Sequence, residues 1–86
     1  MAHRIEYTAA AAKVLQGLDR TLQRRVLARI EALQENPRPA TAVKLTGHDA
    51  YRIRIGDYRV IYAIADERLV VLVVEIGHRR EIYRDW

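Results

Sequence analysis

The stretch Tyr51-Arg52-Ile53-Arg54-Ile55-Gly56-Asp57-Tyr58-Arg59-Val60-Ile61-Tyr62 leaves this chain few choices of fold. Strict alternation puts Tyr51, Ile53 and Ile55 on one side of a strand and Arg52 and Arg54 on the other. Gly56-Asp57 is then a two-residue hairpin turn, with glycine supplying the positive φ that a type I′ or II′ turn requires. The turn fixes the register of the return strand: Ile55 faces Tyr58, Arg54 faces Arg59, Ile53 faces Val60 and Tyr51 faces Tyr62. Three guanidinium groups, Arg52, Arg54 and Arg59, therefore share one face. Like charges directly across strands are unfavourable, so such a cluster implies an anionic ligand.

The hairpin extends into a meander. Tyr58–Ile64 is its second strand, Asp66-Glu67 a turn, and Leu69–Ile76 the third strand. Leu69-Val70-Val71-Leu72-Val73-Val74 does not alternate, and a strand apolar on both faces belongs in the interior of its sheet. Carrying the register through the Asp66-Glu67 turn places Arg59 beside Val74 and Ile61 beside Leu72. The arginine face then has an apolar floor, which lowers the local dielectric and strengthens charge interactions. A one-residue change in the first loop would move Arg59 to the face opposite Arg52 and Arg54.

Upstream of the meander the pattern is helical. His3–Tyr7 alternates weakly and reads as an edge strand. Thr8 caps a helix over Ala9–Leu15, which Gly17 ends in the left-handed conformation. Asp19 is the N-cap of a longer helix, along which Leu18, Leu22, Val26, Ile30 and Leu33 form one apolar stripe. Arg20, Arg24, Arg25 and Arg29 lie off it, on the wet side. Asn36-Pro37 stops this helix, so residues 8–36 make a helical hairpin with one face to bury. Pro37–Thr41 is a connector, and Lys44–Asp49 a polar approach with a turn at Gly47. The expected fold is α+β, with an N-terminal strand and a helical hairpin on one face of an antiparallel β-meander, as a single domain over residues 1–86.

Composition narrows the function classes. At 86 residues there is room for one core and two layers. The basic residues are 13 Arg and only 2 Lys, with a net charge of +4. The planar guanidinium fork binds phosphate or carboxylate bidentately, and composition alone does not choose between them. There is no cysteine to form a disulfide or hold zinc, and His3, His48 and His78 show no ligand spacing. No metal or cofactor is expected. No signal-peptide stretch or membrane-length apolar segment is present, so the expected location is cytoplasmic, with no membrane partner.

With strand, helical hairpin and meander in this order, the chain resembles the RelE branch of the RelE/ParE toxin superfamily. The resemblance covers nearly the whole chain. It rests on Lys44-Leu45-Thr46-Gly47, Tyr51-Arg52-Ile53-Arg54, Tyr58-Arg59-Val60-Ile61-Tyr62 and Gly77-His78-Arg79-Arg80-Glu81-Ile82-Tyr83-Arg84, in that order. It implies a toxin of a toxin–antitoxin pair, restrained by a cognate RelB-like antitoxin. It also implies a ribosome-dependent, metal-independent endoribonuclease that cuts mRNA in the ribosomal A site. The RNA 2′-hydroxyl attacks the adjacent phosphate in that reaction, leaving a cyclic phosphate and a free 5′-hydroxyl.

By the same resemblance, Arg59 and Arg79 bind the scissile phosphate, Arg52 and Arg54 match two basic positions, and Tyr83 matches a catalytic tyrosine. Lys44 and Arg80 are candidates for RNA contact. The basic pair departs from relatives that carry lysine there, because arginine stays protonated and is a poor general base. Proton transfer then falls to Tyr83 or His78. Competing readings are a ParE-type inhibitor that acts on DNA gyrase by binding, and an inactive regulator that only binds its antitoxin.

Overall fold

The computed structural model describes residues 2–78. The strands are β1 (Arg4–Tyr7), β2 (Val43–Lys44), β3 (Tyr51–Ile55), β4 (Tyr58–Ala65) and β5 (Val70–His78). The helices α1 (Ala9–Gly17) and α2 (Arg20–Ala32) intervene between β1 and β2. The strands form one sheet in the order β1-β5-β4-β3-β2. β1 runs parallel to β5 and every other pairing is antiparallel. The sheet is therefore mixed, with the α+β layering expected and a parallel edge added to the meander.

The helices begin where the caps place them. The Thr8 side chain accepts from Ala11 N at 3.1 Å and that of Asp19 from Leu22 N at 2.9 Å, each satisfying a first-turn donor. Gly17 departs from expectation. It is the last residue of α1, and positive φ among the described glycines is confined to Gly47 and Gly56. The extended Leu18 ends the helix instead, its N–H returning to the Leu15 carbonyl. With Asp19 committed to capping α2, the chain turns without a left-handed residue.

One face of the sheet carries the core. Val26, Ile30 and Leu33 of the α2 stripe pack with Ile53, Ile55, Val60, Tyr62, Val71, Val73 and Ile76, all almost fully buried. α1 adds Ala11 and Leu15. Burying a side chain of this size stabilises by roughly 1.5–3 kcal/mol, so both helices are held to this one face.

At the open end of β4 the connector is pinned by polar contacts. The Tyr62 hydroxyl donates to the Pro37 carbonyl at 2.7 Å, and Tyr62 stacks on Tyr51 with centroids 5.8 Å apart. Arg38 donates to both oxygens of Asp66, at 3.4 and 2.8 Å, and to the Tyr51 hydroxyl at 3.2 Å. His3 Nε2 lies 3.2 Å from Asp66 Oδ1. Paired with Arg38 and His3, the Asp66 carboxyl is held below its usual range; burial pushes the Tyr62 hydroxyl up to about 12.

Candidate nucleic-acid interface

The register of β3 and β4 is the one expected, with Arg54 opposite Arg59, Ile53 opposite Val60 and Tyr51 opposite Tyr62. Gly56 has φ +60° while Asp57 is not among the positive-φ residues, the pattern of a type II′ turn. Because Ile53, Ile55, Val60 and Tyr62 point into the core, Arg52, Arg54 and Arg59 share the opposite face, the one away from the helices. Arg54 is exposed, Arg52 is half-buried, and Arg59 retains only 8% of its surface.

The floor beneath them differs from the one expected. The pairing across β4 and β5 runs Ala65–Val70, Ile64–Val71, Ala63–Leu72 and Tyr62–Val73, then shifts by one residue. Ile61 pairs with Glu75, Val60 with Ile76, Arg59 with Gly77 and Tyr58 with His78. Arg59 therefore does not sit beside Val74, nor Ile61 beside Leu72. Two physical causes combine. The connection is longer than a tight turn: a 3-10 turn at Asp66–Arg68 followed by Leu69 in the left-handed conformation, φ 53°. In addition, Val74 is an extra residue in β5, forming a β-bulge. The Thr8 hydroxyl, while capping α1, donates to the Val74 carbonyl at 2.7 Å, and Thr8 N–H donates to the Val73 carbonyl. The apolar floor that remains is Ile61, 1% exposed, packed with Ala50 and the half-buried Leu45.

The bulge changes which side chains share the face. Val71 and Val73 point to the helices, and simple alternation would send Glu75 after them. The extra residue hands that place to Ile76 and turns Glu75 to the arginine side, in one cross-strand row with Ile61 and Arg52. Sequence reasoning missed Glu75. The signal available was the phase slip between core positions Val73 and Ile76, hidden in a run of valines.

The other expected site residues separate. His78 pairs with Tyr58, and their rings meet edge to face at 5.7 Å. Tyr58 packs against the core side, so His78 stands on the face opposite Arg52, Arg54 and Arg59. Lys44 does not join them either. It lies in β2 opposite Tyr51, on the core side of the sheet, and its Nζ reaches the His48 carbonyl at 3.5 Å. The two-residue β2 replaces the irregular approach expected there. Arg79, Arg80 and Tyr83 lie outside the described residues. Two clefts open beside α2 on the helix side. One, of about 210 Å³, is lined by Arg29, Leu33, Asn36, Thr41 and Ile53 among others; the second, of about 420 Å³, lies between Arg25 and the Gly56-Asp57 turn.

The face can do two things chemically. Fixed cations over an apolar floor can hold a phosphate and stabilise charge that builds on it. A guanidinium cannot accept a proton, whereas the Glu75 carboxylate on the same face can. Among the described residues no helix is long and apolar enough to cross a membrane.

Comparison with known proteins gives the same architecture. Residues 5–83 match the family described as the ParE toxin of type II toxin-antitoxin systems, parDE. The mRNA interferase toxin RelE of Escherichia coli K12 is 31% identical over 90 residues, covering 99% of this chain and 94% of the relative. The crystal structure of the isolated E. coli RelE toxin superposes with a TM-score of 0.81 at 30% identity, over 95% of this chain and 92% of that one. The archaeal RelE–RelB complex of Pyrococcus horikoshii is similar, with a TM-score of 0.78 at 31% identity over 94% and 99% of the two chains. The chain belongs to the ParE toxin family of type II toxin–antitoxin systems, on its RelE branch.

Proposed function

We propose that this toxin is a ribosome-dependent mRNA endonuclease that acts in the cytoplasm. The observation that carries the reading is the gathering of Arg52, Arg54 and Arg59 on the sheet face the helices leave open, over the buried Ile61. Attack of an RNA 2′-hydroxyl on the neighbouring phosphate builds negative charge at phosphorus. Buried Arg59 is placed to stabilise it, because a cation held in a low-dielectric site needs no reorganisation as the charge develops. Arg52 and the exposed Arg54 orient the RNA backbone. Arg79 adds a second phosphate contact and Tyr83 protonates the leaving 5′-oxygen, with Arg80 on the flanking RNA. A relative named mRNA interferase toxin supports this assignment.

A RelB-like antitoxin is the proposed partner, as in the archaeal complex. Its acidic residues would neutralise the arginine face while an apolar segment lies on the helical hairpin. The matching family is named for ParE, which keeps gyrase inhibition as the second reading.

Primer extension on a message translated by purified ribosomes separates the two. Codon-phased cuts that need ribosomes, and that fade by about 10²-fold or more in Arg59→Ala, are expected from the loss of a positioned cation. Absence of cutting by the wild type, with gyrase supercoiling inhibited instead, would overturn the assignment.

A further inference from the structure

Three permanent cations cannot take the proton of an attacking hydroxyl, and the register of β5 brings a group that can to the same face. Glu75 pairs with Ile61, which pairs in turn with Arg52, so the three side chains stand in one row on the open face. Arg59 is two residues from Ile61 along β4, which makes it the diagonal neighbour of Glu75, about 7–8 Å away at the backbone. Among the described strand positions on this face of β3, β4 and β5, Glu75 is the one carboxylate. It is half-buried, beside the 8%-exposed Arg59. His78, the other candidate among the described residues, is on the opposite face against Tyr58.

The backbone is arranged to put Glu75 there. Without the bulge at Val74, Glu75 would enter the helix-side core and Ile76 would face the arginines. The Thr8 hydroxyl holds the Val74 carbonyl, coupling the bulge to the start of α1. Bulges are over-represented at sheet edges and next to active sites, where they re-aim a side chain or end the pairing.

We propose that Glu75 is the general base of the cleavage, an inference that rests on the endonuclease reading above. A carboxylate oxygen of Glu75 takes the proton of the 2′-hydroxyl as O2′ bonds to phosphorus. The bond from phosphorus to O5′ then breaks, and the leaving oxygen takes a proton from an acid on the opposite side of the phosphate. The products are a 2′,3′-cyclic phosphate and a 5′-hydroxyl; Glu75 returns its proton to water. Arg59, the diagonal neighbour of the carboxylate, and Arg52, beyond Ile61 in the same row, hold the phosphate against it.

The test uses the full chain on programmed ribosomes, with single-turnover cleavage measured at saturating ribosome. Binding is measured separately on a message carrying a 2′-deoxynucleotide at the cleavage position. Glu75→Gln keeps the size and hydrogen-bonding reach of the side chain but not the base. Cleavage is expected to fall roughly 10²–10⁴-fold, the usual worth of a positioned base. Binding should change less than about 3-fold, a small fraction of the energy of one good contact. Glu75→Asp should recover part of the rate.

A Glu75→Gln variant that cuts as fast as wild type overturns the assignment while leaving the endonuclease reading intact. So does one whose loss of rate is matched by loss of binding, or one no slower than Glu75→Asp. A wild type that fails to cut overturns both. Thermal melting of each variant checks that the fold is retained.

Discussion

Arg54 and Arg59 stand directly opposite each other across β3 and β4. A like-charged cross-strand pair opposes folding, by about 0.2–1 kcal/mol. The arrangement makes sense where a polyanion completes it. Arg54→Thr removes the repulsion and adds a β-branched residue suited to the strand. The variant is expected to gain about 0.5 kcal/mol, or ~2–4 °C in Tm for a domain of this size, while cutting or binding RNA less well. Differential scanning calorimetry beside the ribosome assay reads both.

Thr8 joins two structures with one hydroxyl, accepting from Ala11 N and donating to the bulge carbonyl of Val74. Thr8→Ala loses the cap and the bulge bond together, about 1 kcal/mol each. A loss of about 2 kcal/mol is expected in urea denaturation. Thr8→Ser should retain most of it.

Burial raises the Tyr62 hydroxyl to about 12 from its ordinary 10.0. The neutral phenol is therefore favoured in the folded state, and that stability is fully present below pH 10 and lost as pH rises toward about 12. Tyr62→Phe should lower stability near neutrality by about 1 kcal/mol, the net worth of a typical hydrogen bond. It should also flatten the decline above pH 10. Denaturation midpoints at a series of alkaline pH values check the slope.

Asp66 runs the other way. Its carboxyl is depressed by the hydrogen bonds from Arg38 and His3, so its contribution is present above the ordinary carboxylate range and fades as pH falls through it. Asp66→Asn should soften acid unfolding and lower Tm slightly at neutral pH. The difference should shrink in high salt, because Arg38 and Asp66 are both exposed to solvent.

The hairpin was legible because a two-residue turn and strict alternation leave one register for Tyr51–Tyr62. The helices were legible through Thr8, Asp19 and the α2 stripe. The bulge was not, since a valine run carries no polar residue to mark the face on which each side chain lies. β2 escaped notice because two residues make no pattern. The Arg38–Asp66 bridge joins positions 28 residues apart, and nothing local to either announces it. Of the site, the three strand arginines could be read from the chain. The place of Glu75, and the separation of His78 from them, depended on the bulge and the strand pairing.

Among the described strands β1 has β5 as its one neighbour, and β5 also completes β4. Ile5 must therefore wait for Val71, some 66 positions later, before its strand has a partner. Pairing so distant in sequence carries a large loop-closure cost and is intrinsically slow. A message cut or stalled before codon 70 would leave β1 without its neighbour, β4 without β5, and the arginines without Glu75. Such fragments are expected to be harmless debris for proteases, so toxicity arrives all at once with the finished chain or not at all.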